Sequence, residues 1–208
     1  MLSVRNFAAM FICLAVLGGC AGGQSHNMLN TTAAEPQAIA ATHRILVATT
    51  RERSEAPGEV FSGARGDGLS FARVDVTVPQ AHVSGRLEEP SGGGKRNPAL
   101  HFAAGEIAIF PERDSFVAAA RKSLVNTDGR ALVFIHGYRT PFDGSAYRAA
   151  QIIHDSGYKG TPILFSWAST GRTVDYIYDN NSATVARDGL EQTLRLLREA
   201  GAKRIDIV

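Results

Sequence analysis

The order of apolar and polar positions predicts strands that alternate with helices in the second half of the chain. LVFI (132–135) and PILFSW (162–167) are continuously apolar runs, which are typical of parallel strands covered on both faces. Each run is followed by a helical stripe of apolar residues, and Asp143 is the candidate cap of the first helix. RIDIV (204–208) adds a third strand, so the order predicts an α/β fold with a mostly parallel sheet and helices on both faces. The stripes are Ala146, Ala149, Ala150 and Ile153, then Ala183, Ala186, Leu190, Leu194 and Leu197.

The first half of the chain carries shorter patterns. ILVAT (45–49) and IAIF (107–110) predict strands, and LSFARVDVTV (69–78) alternates between apolar and polar residues. A change of phase near Ala72 predicts a bulge in that strand. Asp114 is a candidate cap for a helix whose apolar stripe is Phe116, Val117, Ala120 and Leu124.

Two segments between the predicted strands and helices have compositions that indicate surface positions. EEPSGGGKRNP (88–98) contains GGGK, which is similar to a phosphate loop, but no Ser or Thr follows Lys95 and no helical pattern opens there. Its composition favours a surface loop. The polar segment 168–179 is too long for a minimal connection, so we expect it over the end of the sheet, before a helix capped by Asn181 or Ser182.

The N-terminus carries the pattern of an export signal. Arg5 precedes an apolar run, 7–17, which is short for a membrane span but suits a signal-peptide core. The run ends in LGGC, which resembles the lipobox of bacterial lipoproteins and implies cleavage before Cys20 and attachment of lipid to it. The alternatives are an ordinary signal peptide cut elsewhere and an uncut anchor. Cys13 lies inside the segment that cleavage would remove.

These signals predict three regions: a lipoprotein signal peptide at 1–19, a flexible tether at 20–43 and the folded part at 44–208. Residues 21–43 are small, polar and aperiodic, so we expect no packed structure there. Because Ala21 rather than Asp follows the cysteine, general lipoprotein sorting implies the outer membrane of the cell envelope, with the domain facing the periplasm.

Charge balance and histidine spacing give no support for binding of nucleic acid or of metal ions. Removal of residues 1–19 takes away Arg5 and leaves 21 basic and 20 acidic residues, which offers no electrostatic case for binding nucleic acid. The five histidines outside the HGY sequence (136–138) do not have the spacing of metal ligands, so we expect no metal site. No motif predicts a cofactor. These histidines are His26, His43, His82, His101 and His154.

Three blocks together resemble a known family. They are VFIHGYRTPFDGSAYRAAQIIHDSGY, then PILFSWASTGRTVDYIYDNNSATVARDGLEQTLRLL, then RIDIV, with weaker likeness upstream in ILVATTRER and VTVPQAHVSGRLEEP. They resemble bacterial α/β-hydrolases of the esterase/lipase superfamily, formerly grouped as a domain of unknown function. The resemblance covers most of residues 44–208. It implies that the strand 204–208 leads into an elbow carrying a serine nucleophile beyond Val208, so we expect no complete triad within these residues.

The HGY turn after the strand 132–135 has a chemical interpretation of its own. In an α/β-hydrolase, the turn after this strand supplies one backbone N–H to the oxyanion hole. Gly137 leaves space for a substrate carbonyl, and the N–H of Tyr138 is the candidate donor. The alternative is a tight turn from strand to helix. His136 is a structural histidine by this interpretation, because the triad histidine of this fold comes after the nucleophile.

Other polar and aromatic residues near these blocks are weaker candidates. Ser169 follows the wrong strand for a nucleophile. Asp175 and Asp179 precede the nucleophile position, so they are expected to cap helices or to pair with Arg172 or Arg139. The aromatic residues of this region are either lining for an acyl or alcohol pocket or core packing. They are Trp167, Tyr176 and Tyr178.

Three functions remain open from the sequence. The first is the N-terminal part of a lipid-anchored serine hydrolase that acts on a small-molecule carboxylic ester or related acyl substrate. The second is a membrane-tethered binding or remnant protein without catalysis. The third is a non-enzymatic envelope lipoprotein that uses the fold for interaction.

Overall fold

A computed structural model of the protein describes residues 28–172 and 175–208. The predicted signal peptide (1–19), Cys20 and the beginning of the expected tether lie outside the described residues. The elements are β1 (Ile39–Arg53), β2 (Phe61–Pro79), β3 (Ala103–Phe110), α1 (Arg113–Val125), β4 (Arg130–Ile135), α2 (Phe142–Asp155), β5 (Thr161–Ser166), α3 (Tyr176–Glu199) and β6 (Arg204–Ile207).

The described strands form one six-stranded sheet in the order β3-β2-β1-β5-β4-β6. Strands β1, β5, β4 and β6 are parallel neighbours, whereas β2 pairs antiparallel with both β1 and β3. Helix α2 packs on one face of this sheet, and α1 and α3 pack on the other. The predicted fold class, a mostly parallel sheet with helices on both faces and of the α/β-hydrolase type, is confirmed.

The alternation in β2 is unbroken where the sequence suggested a bulge. Ala72 and Val74 face the α2 side, while Phe71 faces the other side and stacks on Phe116 of α1 at 4.7 Å. Pairing with β1 is regular from Thr77 to Ser70. The apparent change of phase arises because both faces of the sheet are buried at this point, so apolar residues occupy both phases.

Strands β1 and β2 are much longer than their apolar cores predicted. Beyond residue 49, β1 continues to Arg53, and β2 begins at Phe61 rather than near residue 69. Arg51 pairs with Arg65 and Arg53 with Phe61, with shifts of register between these pairs. Residues 61–68 are glycine-rich and charged, so their own strand propensity is low. Cross-strand hydrogen bonds to their backbone N–H and C=O groups hold them in the strand.

The expectation of an unpacked tether is wrong for residues 28–43. Met28 is 1% exposed and packs in the core cluster that contains Phe142, and β1 already begins at Ile39. The backbone of Asn30 and Thr32 exchanges hydrogen bonds with Arg96. The folded part therefore begins well before residue 44. Backbone pairing and burial of one methionine give this segment an ordered structure, which its composition alone does not predict.

Three helix starts also differ from the predicted caps. Helix α1 begins at Arg113 after Glu112, so Asp114 lies in its first turn and not at the cap. Helix α2 begins at Phe142 after Pro141, so Asp143 lies in the first turn and not at the cap. Helix α3 begins at Tyr176 with Asp175 at its N-cap, earlier than the predicted Asn181 or Ser182. Among the described helices, none is long and apolar enough to cross a bilayer.

His82 fastens the loop after β2 to the end of α2. Its two ring nitrogens lie 2.8 Å from Glu88 and 2.8 Å from Asp155, and its side chain is 5% exposed. Burial alone lowers the pKa of His82, but the hydrogen bonds with these two carboxylates raise it overall. Burial likewise opposes ionisation of Asp155, but hydrogen bonds from His82 and from the Gly85 N–H lower its pKa to about 2.

We expect His82 to stabilise the fold in a pH-dependent manner. Because its folded pKa is raised above the ordinary value of about 6.5, its contribution is complete below that pH and is lost as pH rises through the folded pKa. Urea unfolding at a series of pH values should show that His82→Gln costs more free energy at about pH 5.5 than at about pH 8.5. His43, whose pKa burial and His154 lower to about 4, is a matched control, since His43→Gln should show the opposite slope. A pH-independent difference for His82→Gln would contradict this role.

Candidate functional site

Three parallel strands end at the same edge of the sheet. His136 to Thr140 follow β4, and Trp167 to Gly171 follow β5. The end of β6 lies beside the end of β4: the N–H of Val208 donates to Val133 O at 3.0 Å, and the N–H of Ile135 donates to Val208 O at 2.8 Å. Ligands of open α/β sheets bind at the carboxyl ends of the strands, so this edge is the candidate site.

Residues 136–140 form a turn that presents Gly137 and Tyr138 at this edge. A Cβ atom added at Gly137 would meet no atom within 4 Å, and the φ angle of Gly137 is not in the positive region. Glycine is therefore required here neither by conformation nor by a neighbouring atom, and it leaves open space beside the turn. Tyr138 is 38% exposed, and Arg139 carries the left-handed conformation, with φ of 57°. The oxyanion role of Gly137 and Tyr138 stays a prediction.

His136 is buried and held as a neutral ring. Its Nδ1–H donates to Gly137 O at 2.8 Å. Its Nε2 lies 3.1 Å from the Trp167 N–H, 3.3 Å from Arg51 Nη2 and 3.1 Å from the Trp167 carbonyl oxygen. Because the only partner of Nδ1 is a carbonyl oxygen, Nδ1 carries the proton of the neutral ring, and Nε2 accepts from the Trp167 N–H and from Arg51. Burial and, after it, the charge of Arg51 lower the pKa of His136 to about 3. The ring is thus neutral at neutral pH and fully engaged, as expected for a structural histidine.

The three aromatic residues considered as pocket lining occupy different environments. The hydroxyl of Tyr178 donates to Gly63 O at 3.3 Å, so this side chain packs against β2. Trp167 is 7% exposed, stacks on His136 at 4.8 Å and donates from Nε1 to His136 O, so it contributes to the core behind the turn. Tyr176 is 59% exposed and meets Tyr138 edge to face at 5.1 Å. Tyr176 therefore remains the candidate for contact with a substrate, and that role stays a prediction.

Arg51 is a component of the site that the sequence analysis did not identify. It is fully buried, and its guanidinium donates to five acceptors from three segments of the chain. Burial lowers its pKa to about 10, opposed by the charge of Asp179, so the side chain stays protonated at neutral pH. The only signal in the sequence is an arginine two residues after an apolar strand. The acceptors are Ser166 Oγ (2.8 Å), Ser62 O (3.1 Å), Ser169 O (2.8 Å), Thr140 O (2.7 Å) and His136 Nε2 (3.3 Å).

Asp179 binds the same two loops from α3. Its Oδ2 accepts from the Ser169 hydroxyl at 2.5 Å and from the Arg139 N–H at 3.1 Å, and its Oδ1 accepts from the Thr170 N–H at 3.1 Å. Asp179 is fully buried. Its partner at Arg139 is thus the backbone and not the guanidinium that the sequence suggested. Asp175 lies 3.6 Å from Arg172, which agrees with the expected pairing.

Ser169 has the environment of a structural residue. It is fully buried, its hydroxyl donates to Asp179, and the same oxygen accepts the Thr140 N–H at 3.1 Å. A serine nucleophile needs an imidazole to accept its proton, whereas this hydroxyl is bound to a carboxylate and to a backbone amide. Among the described residues, no group of three or more His, Cys, Asp or Glu side chains is arranged to hold a metal ion.

Comparison with known proteins gives one match. Residues 112–208 match the model of a family described as alpha/beta hydrolase of unknown function (DUF900). Neither the curated proteins nor the solved structures contain a match to the chain. The matched residues run from the start of α1 to the end of β6, so they include the 136–140 turn and Asp179 but not Arg51. From residue 112 to its end at residue 208, this chain is similar to an alpha/beta-hydrolase family, and the architecture of its sheet agrees with that match.

Proposed function

We propose that this chain contributes the oxyanion side of a serine hydrolase that acts on a carboxylic ester or a related small-molecule acyl substrate. The observation that carries the proposal is the contact between the ends of β6 and β4, through Val208 and Ile135. In an α/β-hydrolase, the nucleophile sits on a sharp turn directly after the strand in the position of β6. A serine placed there would face the turn formed by Gly137 and Tyr138.

The chemistry divides between this chain and the residues proposed to follow it. The serine oxygen attacks the acyl carbon while a histidine removes its proton, and the carbonyl oxygen becomes an oxyanion. The Tyr138 N–H and the N–H after the nucleophile stabilise that charge. Collapse expels the alcohol with the proton from the histidine, and water then hydrolyses the acyl-enzyme. The nucleophile, the acid and the histidine of this proposal all come after Val208.

Labelling with a fluorophosphonate probe tests this division directly. We expect residues 21–208 to remain unlabelled and a chain extended in frame beyond Val208 to be labelled at a serine within about five residues of it, as the geometry of strand and elbow requires. Mass spectrometry of the labelled peptide identifies the residue. Labelling of Ser166 or Ser169 would contradict the assignment, and so would an extended chain that the probe does not label.

A second candidate is a lipid-anchored envelope protein that binds ligands without catalysis. It is favoured by the partners of the two buried serines near the site. Ser166 accepts from Arg51, and Ser169 donates to Asp179, so within the described residues neither hydroxyl contacts an imidazole. A coding frame that stops after Val208 would place this candidate first.

The same proposal includes a lipid anchor at Cys20, which lies outside the described residues. The motivation is the LGGC sequence after a signal-type apolar run. Eight residue steps separate Cys20 from Met28, the first buried residue described, and they span at most about 28 Å. The fold would thus sit close to the membrane surface, and we propose the periplasmic side of the outer membrane as its location.

We expect Cys20→Ser to abolish incorporation of labelled fatty acid and to release the protein from the membrane fraction. Cys13→Ser is the matched control, because Cys13 belongs to the segment that cleavage would remove, and it should leave labelling unchanged. Metabolic labelling with an alkyne fatty acid, followed by fractionation, measures both. Fatty acid in the Cys20→Ser protein, or a wild-type protein found mainly in the cytosol, would disprove the anchor.

A further inference from the structure

Two buried side chains of opposite charge form hydrogen bonds with the 136–140 turn. On one side, Arg51 donates to the carbonyl oxygen of Thr140 at 2.7 Å and to His136 Nε2 at 3.3 Å. On the other side, Asp179 accepts the Arg139 N–H at 3.1 Å. Arg51 therefore fixes acceptors of the turn, while Asp179 fixes one of its donors.

Ser169 joins the two halves of this arrangement. Its carbonyl oxygen accepts from Arg51 at 2.8 Å, its hydroxyl donates to Asp179 at 2.5 Å, and its Oγ accepts the Thr140 N–H at 3.1 Å. The loop after β5 is thus held by the same two charges as the turn after β4. Both charged side chains and Ser169 are fully buried, so water does not compete for these hydrogen bonds.

The conformation of Arg139 shows why the turn needs such support. A residue other than glycine in the left-handed region is strained, and such strain persists only where the surroundings determine the backbone. The Asp179 carboxylate holds the N–H of this residue and, through Ser169, the N–H of Thr140. The peptide between Gly137 and Tyr138 lies immediately before these two anchored positions.

We propose that Arg51 and Asp179 are positioning residues that hold the 136–140 turn in the conformation that stabilises the oxyanion. The inference rests on the proposed function, in which the Tyr138 N–H is an oxyanion donor. Neither residue is proposed to touch substrate. A displacement of a catalytic group by about 1 Å can cost about 100-fold in rate, so loosening either charge should lower kcat by about that factor.

Two conservative variants test the proposal in the full chain. Asp179→Asn keeps the size of the side chain but removes its charge and one acceptor oxygen. Arg51→Lys keeps the charge but replaces a planar fork that reaches five acceptors by a single ammonium group. The matched controls are Asp188→Asn on α3 and Arg53→Lys on β1, because both residues are exposed and lie on the same elements as the residues they control.

The first measurement is hydrogen exchange at the amides of Arg139 and Thr140. We expect exchange in Asp179→Asn to be faster by about tenfold or more, since hydrogen bonds to charged groups are the stronger ones, and no change in Asp188→Asn. This readout needs no activity. Unchanged protection at both amides in Asp179→Asn would overturn the proposal that Asp179 holds the turn through these hydrogen bonds.

The second measurement is the kinetics of ester hydrolysis per folded molecule. We expect kcat to fall about 100-fold in both variants with KM unchanged, because the lost interaction acts in the transition state. The affinity for a boronic acid, which forms a tetrahedral adduct on the serine, should fall by the same factor. Faster amide exchange with an unaltered kcat would overturn the positioning role while leaving the proposed function intact. A wild-type full chain without esterase activity would instead overturn the proposed function, and the exchange measurement would still decide whether the two charges hold the turn.

Discussion

Replacing Tyr138 by proline in the full chain should lower kcat for ester hydrolysis by about 100- to 1000-fold. The substitution removes the backbone N–H that we propose as an oxyanion donor, and loss of one such donor costs about 2.7–4 kcal/mol of transition-state stabilisation. Proline is the substitution of choice, since in type II turns it commonly precedes a left-handed residue and Arg139 has that conformation. Steady-state kinetics with a short chromogenic ester measure the effect.

Tyr138→Ala separates the backbone from the side chain at the same position. Alanine also lacks the aromatic ring, which meets Tyr176, but it keeps the N–H. The alanine variant should therefore retain most of the activity that the proline variant loses. Equal losses in the two variants would mean that the ring of Tyr138 matters and that its N–H is not the donor. Circular dichroism of both proteins checks that the fold is kept.

Replacing Arg51 by methionine should lower the free energy of unfolding by about 3–5 kcal/mol. Methionine approximates the length of the side chain but removes five hydrogen bonds, three of which are fully buried, and leaves Asp179 without the buried charge that offsets it. The loss is large because water does not replace the guanidinium at the three fully buried acceptors. Urea unfolding followed by tryptophan fluorescence measures the change, since Trp167 packs on His136 beside Arg51.

Arg53→Met is the matched control for this stability measurement. Arg53 lies two residues further along β1 and is exposed, so the same substitution there should change the free energy of unfolding by no more than about 0.5 kcal/mol. A loss below about 1 kcal/mol for Arg51→Met would show that the loops after β4 and β5 do not depend on the guanidinium.

Sequence patterns were sufficient for the second half of the fold. The continuous apolar runs of β4 and β5 identify strands that are buried on both faces, and the helical stripes identify the helices between them. These patterns are local consequences of burial, so they can be read without knowledge of the neighbours. The HGY turn was found in the same way, because it follows directly from the end of β4.

Patterns of this kind failed where order depends on distant partners. Residues 28–43 and the outer part of the β1–β2 hairpin contain small, polar and glycine-rich sequence, and they are ordered by backbone pairing and by burial of Met28. Helix α3 begins earlier than its apolar stripe predicts, with Asp175 at its N-cap and Asp179 in its first turn, and Asp179 binds the distant loops after β4 and β5. Nothing in the local composition indicates such partners.

By itself, the sequence determined the α/β class, the alternation of parallel strands with helices along the second half of the chain and the place of the turn after β4, because each depends on residues close together in the chain. Arg51 and Asp179 are separated by 128 positions in the sequence. Only the tertiary structure revealed that both form hydrogen bonds with the same turn. A buried charge is stable only where the fold supplies its hydrogen-bond partners. The partners of Arg51 and Asp179 come from three separate segments, and folding alone brings them together.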